Sequence, residues 1–343
     1  MRLAVVIVSY NVRELLAACL RSVFGSLAHS PELEAEVWVV DNASVDDSAA
    51  MVRQHFPQVR LIASQENLGF AGGNNAALKA CGFKSKIQSS KPKHVTRNTD
   101  HASRITPPDL VLLLNPDTEV LDDAIGHMAR FLAGHPDVGG VGAQLQYPDG
   151  RFQHGAFAFP GLMQLWFDFF PPRPRRLLDS RLNGRYPRRW YERGKPFPIG
   201  FALGAALMVR REAIEAVGLL DEGYFMYAEE VDWCWRMQRA GWPLYCVPAA
   251  RVVHHGGASA RQFGQQACLD LWRSRHRLYG KFYGPGRRWL ACRIVQLGMW
   301  TEARRARMAA RRGVISEAEL HKRLSTYQEI CALYRTRSPQ HAT

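Results

Sequence analysis

The chain has 343 residues, of which 47% are apolar and 22% charged, with a formal net charge of +14. That composition excludes a disordered or fibrous chain and allows one large domain or two modest ones. No run of eighteen or more apolar residues occurs in it, so a membrane-spanning helix is not expected.

The N-terminal MRLAVVIVSYN has too short an apolar core for a signal peptide and no small-residue cleavage site behind it. It reads as a first strand, in a chain expected to stay in the cytosol. Asn11 is placed to cap the helix that follows, with Glu14 as its capping-box partner. Leu15, Leu16, Cys19, Leu20 and Val23 then recur at helical spacing. VWVV (37–40) is a second strand and SAAMVRQHF a second helix. VRLIA (59–63) is a third strand and GGNNAALKA opens a third helix. LVLLL (110–114) is a fourth strand, and a helix is expected over 122–133. Short continuous apolar strands alternating with helices predict an α/β doubly wound, mostly parallel sheet.

A polar, basic segment, 83–108, interrupts this rhythm and reads as a surface insertion. From Tyr147 aromatics, prolines and arginines mix. ALGAALMV (202–209) follows as a strand and REAIEAV as a helix. Beyond Gln266 the chain is expected to be helical and basic, which divides it into a body, 1–265, and an extension, 266–343. Nine Lys or Arg and one acid, Glu302, lie between Lys281 and Arg312. Within that stretch WLACRIVQLGMW (289–300) is too short to cross a bilayer. It suits either an interfacial position among its arginines or packing on the body. The seven cysteines are scattered, without a CxxC pair. That spacing fits neither a disulfide framework nor a zinc site.

Ligands of open α/β sheets bind at the carboxyl ends of the strands. The first strand ends in Ser9, Tyr10 and Asn11, the second in Asp41 and Asn42, and the fourth in Asn115, Pro116 and Asp117. Any one of these is an ordinary cap or turn former; three together point to a shared site. Neither GxGxxG nor GxxxxGK[ST] occurs, which disfavours dehydrogenases and P-loop enzymes. NLGFAGGNN (67–75) still offers backbone amides to a diphosphate at a helix start. Lacking the usual phosphate loops, a diphosphate needs a metal ion held by a carboxylate, and Asp117 is placed to hold one.

Downstream, Glu229, Glu230 and Asp232 crowd the start of an amphipathic helix whose apolar face is Val231, Cys234, Trp235 and Trp242. Acids there satisfy the helix dipole, or hold a carboxylate base beside a substrate. In VVHHGGAS, His254 or His255 follows an apolar strand, and Gly256 and Gly257 permit close backbone approach.

In this order VVIVSYN, VVDNAS, NLGFAGGNN, LLLNPDTEV, GAALMVRREAIEAVGLLDEGYFMYAEEVDWCWRMQRAGW and VVHHGGAS resemble glycosyltransferase family 2, in its rhamnosyltransferase-like branch. The match covers most of 3–259, with the insertion and much of 146–198 outside it. The resemblance implies a GT-A fold and an inverting, metal-dependent transfer from a nucleoside-diphosphate sugar in cell-surface polysaccharide synthesis, with Mg or Mn as cofactor. It implies Asp117 and His254 as metal ligands, with Asn115 in place of the first acid of an Asp-x-Asp motif. Asp41 matches the acid that reads the nucleobase and Tyr10 lies in the segment that frames it. Ser9, Asn42, Asn67, Gly69 and Asn74 complete the donor side. Glu230 falls where the family has its catalytic base, with Asp232 and Glu229 as rivals. The branch suggests dTDP-rhamnose as donor. The basic tail suits an anionic membrane surface or a polyprenyl-diphosphate-linked acceptor, or is simply a solvated helix.

Two other classes compete. The charge would suit a nucleic-acid binder, but no groove-reading motif accompanies it, and nucleic acid is not expected as a partner. An inactive nucleotide-sugar-binding protein is allowed by the altered Asp-x-Asp and Glu-Asp positions.

Overall fold

The computed structural model describes residues 1–84, 106–256 and 264–335. Four strands come first: β1 (Arg2–Ser9), β2 (Glu34–Asp41), β3 (Arg60–Ala63) and β4 (Leu110–Leu114). Between them run α1 (Arg13–Leu27), α2 (Ser48–His55) and α3 (Gly69–Ala80). β5 (Thr118–Val120), α4 (Ala124–Gly134) and β6 (Gly140–Gln146) follow. A more irregular stretch holds β7 (Phe152–Gln153), β8 (Ala156–Phe157), α5 (Leu162–Phe169), α6 (Arg188–Glu192), β9 (Phe197–Ile199) and β10 (Phe201–Ala202). The chain then forms β11 (Ala206–Arg210), α7 (Arg211–Val217), α8 (Glu229–Arg239) and β12 (Leu244–His254). Three helices follow: α9 (Gly264–Phe282), α10 (Pro285–Arg311) and α11 (Glu317–Leu333).

The main sheet runs β3-β2-β1-β4-β11-β6-β12-β5. β1 pairs in parallel with β2 and β4, and β12 with β6. β11 is antiparallel to both β4 and β6, and β5 to β12. The result is the expected mostly parallel α/β sheet, with β11 and β5 reversed along this path and the short β7 and β9 pairing antiparallel beside it.

Alternation along β1 explains why it is apolar throughout. Leu3, Val5 and Ile7 enter a core shared with α1, α2 and α4, while Ala4, Val6 and Val8 enter a second core shared with α3, α7 and α8. A strand covered on both faces has no polar side to show. The C-terminal helices form a third core with α5, from Phe169, Trp272, Tyr279, Val295 and Ile330 among others. Trp235 of α8 joins the last two cores. Its ring stacks on Phe159 at 4.5 Å and on Phe282 at 4.4 Å.

The structure corrects two local expectations. Asn11 does not cap α1: it takes a left-handed φ of 50° and its Oδ1 accepts from Val45 N–H at 2.8 Å. The first free amide of the helix, Arg13 N–H, is met instead by Asp46 Oδ2 at 2.8 Å. The segment read as one strand over 202–209 is broken, with β10 pairing β8 in a small separate sheet before β11 enters the main one. The segment WLACRIVQLGMW packs on the protein along one face and is exposed along the other. Most of the 83–108 insertion lies outside the described residues.

Candidate active site

Strand register assembles the site. Ser9 stands level with Asp41 at the ends of β1 and β2. The neighbouring β4 ends at Leu114, level with Ile7, and releases Asn115–Asp117 past the sheet edge. From the far side β12 brings His254 level with Thr118, and His255 N–H bonds Asp117 O at 2.9 Å. A cavity of about 290 Å³ opens there. Ser9, Tyr10, Asn42, Asn67, Gly69, Asn115, Asp117, Glu229, Glu230 and His254 line it.

The donor side of the cavity is fixed by backbone and amide hydrogen bonds. Asn42 N–H donates to Ser9 O at 2.8 Å, and the Asn42 side-chain amide to Gly69 O at 3.0 Å. Asn67 Oδ1 accepts from Gly69 N–H at 2.9 Å. Gly69 has φ +70°, and a Cβ there would sit 2.2 Å from Phe225 O. Only glycine permits this close pairing of the α3 start with the 225–228 turn. Phe70 N–H bonds Phe225 O at 2.9 Å.

That turn presents the acids. Tyr227 and Ala228 both take left-handed backbone, φ 71° and 66°. Such conformations cost on the order of 1 kcal/mol each and persist where surrounding structure enforces them. They deliver Glu229 and Glu230 to the cavity at the first turn of α8. Burial pushes the Glu230 carboxyl up to about 7. Burial and the neighbouring Glu230 charge push Glu229 up as well.

Asp232 is placed differently. It is wholly buried on the other side of the helix, where its carboxylate accepts from Arg236 Nε at 2.7 Å, from Tyr224 OH at 3.3 Å and from Lys281. Its carboxylate is engaged by all three partners and lies apart from the lining of the cavity. Asp41 and Asn74 also sit behind the lining. Asp41 Oδ2 accepts from Ser44 N–H at 3.2 Å, and Asn74 donates to Phe70 O at 2.8 Å.

Among the described residues nine buried side-chain polar atoms lack a hydrogen-bond partner, and five of them gather here: Ser9 Oγ, Asp41 Oδ1, Glu229 Oε2 and both ring nitrogens of His254. His254 Nε2 lies 3.5 Å from Asp117 Oδ1. Burial lowers the pKa of His254, against the pull of Asp117, and so favours the neutral ring. A carboxylate oxygen beside a neutral imidazole without a hydrogen-bond partner fits a divalent cation. No group of three or more metal-binding side chains occurs among the described residues, so such an ion would draw its remaining ligands from substrate and water.

Comparison with known proteins identifies the family and the fold. The model of the family described as "Glycosyl transferase family 2" matches residues 4–82. An N-acetylglucosaminyl-diphospho-decaprenol L-rhamnosyltransferase of Mycobacterium tuberculosis is 30% identical over 238 residues, 67% of this chain and 69% of that one. The chain belongs to glycosyl transferase family 2. It is rhamnosyltransferase-like within it. The rhamnosyltransferase WbbL of Escherichia coli (strain K12) is 35% identical over 69 residues, 20% of this chain and 26% of its own. A mannosyltransferase of Pyrobaculum calidifontis, solved with GDP-Man and Mn2+, superposes with a TM-score of 0.50 at 16% identity. The match covers 96% of this chain and 85% of that one, a likeness of GT-A fold.

In this glycosyltransferase several cavity residues escaped the sequence reading. Phe70, Leu203, Gly204, Ala205 and Met226 all line it. The 203–205 turn was hidden inside an apolar run; Gly204 was its one signal, and a Cβ there would meet the Phe70 ring at 3.0 Å.

Proposed function

We propose that the protein is an inverting glycosyltransferase that moves L-rhamnose from dTDP-rhamnose to a hydroxyl of a polyprenyl-diphosphate-linked glycan, for cell-surface polysaccharide synthesis. One observation carries the reading: the unpaired polar atoms of Ser9, Asp41, Glu229 and His254 cluster about one cavity at the strand ends. Each such atom costs about 1–3 kcal/mol while unmet, so a polar ligand that meets them binds with that advantage. The mycobacterial relative, whose name specifies rhamnosyl transfer to N-acetylglucosaminyl-diphospho-decaprenol, supports the donor sugar and the acceptor class.

In this reading Ser9, Tyr10, Asn42 and the buried Asp41 receive the nucleoside, and Asn67, Gly69 and Asn115 flank the diphosphate. Asn74 acts indirectly, by holding the Phe70 carbonyl at the α3 start. Asp117 and His254 hold a divalent cation, Mg or Mn, which when bound neutralises charge on the leaving diphosphate.

Glu230 is the base. It takes the proton of the acceptor hydroxyl as that oxygen bonds to the anomeric carbon, opposite the departing diphosphate oxygen. Configuration inverts in this single displacement, with no covalent link to the protein. A carboxyl with a pKa of about 7 suits the task, because it is basic enough to accept the proton and still half-ionised at neutral pH. Burial and the Glu230 charge push the carboxyl of Glu229, deeper and beside it, upward, which favours its protonated form and spares the pair a second negative charge. Asp232 is tied up by Arg236 and Lys281.

The test is transfer of labelled sugar from dTDP-rhamnose to a short-chain polyprenyl-diphosphate N-acetylglucosamine. Formation of a lipid-linked disaccharide with inverted configuration is expected. Turnover only with a UDP- or GDP-sugar would reject the donor; nucleotide binding without turnover of any sugar would reject the enzyme reading.

A further inference from the structure

Helix α10 carries seven Arg and one Glu between Pro285 and Arg311. One side of it is packed, with Ala291, Ile294, Val295, Gly298 and Met299 buried. The other side is unusual. Trp289, Leu290, Leu297, Trp300 and Met308 are all exposed, Trp289 by 60% and Trp300 by 54%. At 3.6 residues per turn these five fall within one arc of about 100° around the helix axis. Arg293, Arg304, Arg307 and Arg311 fall in the same arc and are exposed too. Arg293 lies over the Trp289 ring at 5.5 Å, and Arg304 over Trp300 at 4.9 Å. The one acid, Glu302, lies outside the arc and is paired with Arg305. From Trp289 to Arg311 the stripe runs about 33 Å.

We propose that this face of α10 seats the enzyme on an anionic lipid bilayer, with its indoles and Leu side chains at the headgroup–acyl boundary and its arginines on lipid phosphates. Trp is favoured at that boundary because one molecule edge is apolar and the other carries a donor. Arginines that lie over those indoles stand where lipid phosphates begin. A second copy of the chain is a poor occupant, since a symmetric pairing of this face would set arginine against arginine. The inference rests on the proposed function only for the reason to be at a membrane: a lipid-linked acceptor presents its sugar at that surface.

The test uses the full chain without donor or acceptor, pelleted with vesicles of phosphatidylglycerol and phosphatidylethanolamine or of phosphatidylcholine alone. Binding to the anionic vesicles, weakened by salt, is expected, together with a blue shift of tryptophan emission. Trp289→Glu with Trp300→Glu should weaken it by at least about tenfold, from the apolar area lost to the bilayer. Arg293→Glu with Arg304→Glu should weaken it and flatten its salt dependence. Unchanged thermal melting shows that the variants fold. Wild-type protein left in the supernatant overturns the proposal, as does equal pelleting of the variants. A solution dimer that the tryptophan variant dissociates overturns it in favour of a copy interface, and equal loss of binding to duplex DNA in favour of nucleic acid. Transfer to a detergent-soluble acceptor, measured on the same variants, should persist, so that failure of docking and failure of the catalytic reading are told apart.

Discussion

Ser274 Oγ donates to Met226 O at 2.7 Å, which ties α9 to the turn that lines the cavity. Two further links run in parallel. Arg277 meets the Asp221 carboxylate at 2.8 Å, and Lys281 reaches both Asp221, at 2.8 Å, and the buried Asp232. Helix α9 therefore braces the 221–232 segment from behind, at Asp221, Met226 and Asp232. The left-handed Tyr227 and Ala228 need such bracing.

Lys281→Met should show what the brace does. It leaves Asp232, with no exposure of its own, to Arg236 and the Tyr224 hydroxyl. Removing one partner of a buried pair costs about 3–5 kcal/mol; with Arg236 retained, about 2 kcal/mol is expected here. Melting followed by circular dichroism should drop by several degrees. If the brace also aims Glu230, kcat should fall more than nucleotide affinity does, and Lys281→Arg should recover part of it. Unaltered kcat in a destabilised protein would restrict Lys281 to stability.

Glu230 makes a prediction about pH. Its carboxyl is raised to about 7 by burial, so its ionised form is disfavoured in the folded protein. The rate should rise with pH through about 7 and level off above. Glu230→Gln should remove transfer by at least about 10³-fold and leave dTDP binding intact. Stability runs the other way. A raised carboxyl pKa favours the folded state at low pH, and that advantage is lost as pH climbs from about 4.5 to about 7. Glu230→Gln should therefore be more stable than the parent at pH 8, by on the order of 1–3 kcal/mol, with the gap closing toward pH 4. Denaturant melts at the two pH values measure it.

The strand ends that build the cavity were legible because physics wrote them locally. β1 is apolar from Leu3 to Val8 and β4 along its whole length since both faces are covered, and the switch to Ser9 or Asn115 marks the sheet edge. The reversal of β11 left no such mark, because an antiparallel strand inside a sheet is covered on both faces too. In the sequence Asp232 stands as a rival to Glu230 for the role of base. What separates them is Lys281, about fifty residues on, a contact that no local pattern encodes. Asn11 looked like a cap, but the free amide of Arg13 is met by Asp46, thirty-three residues further on.

Asp117 and His254 predict a metal-dependent ligand response. With dTDP at about 100 times its dissociation constant, binding should stabilise the fold by about 2.7 kcal/mol. That corresponds to a melting shift of about 4 °C for a chain of this size. The shift should need Mn or Mg, vanish with a chelator, and shrink in Asp117→Ala and in His254→Ala. A full shift with chelator present would sink the cation assignment while leaving the nucleotide site standing.

Gly69 offers the sharpest steric test. Its φ of +70° already disfavours any side chain, and an added Cβ would lie 2.2 Å from Phe225 O and 2.8 Å from the Phe225 ring. The oxygen belongs to the backbone, so the side chain cannot simply swing aside. Gly69→Ala must part the α3 start from the 225–228 turn, and the two walls of the cavity with it. Nucleotide affinity should fall by about tenfold or more, with a loss of about 1–3 kcal/mol in stability. Gly25→Ala is the control. Gly25 lies within α1, where nothing stands within 4 Å of the new Cβ. Replacing a helical glycine there should stabilise the protein by up to about 1 kcal/mol and leave nucleotide binding alone. Equal nucleotide binding in both variants would mean that the contact between Gly69 and Phe225 does not set the width of the cavity.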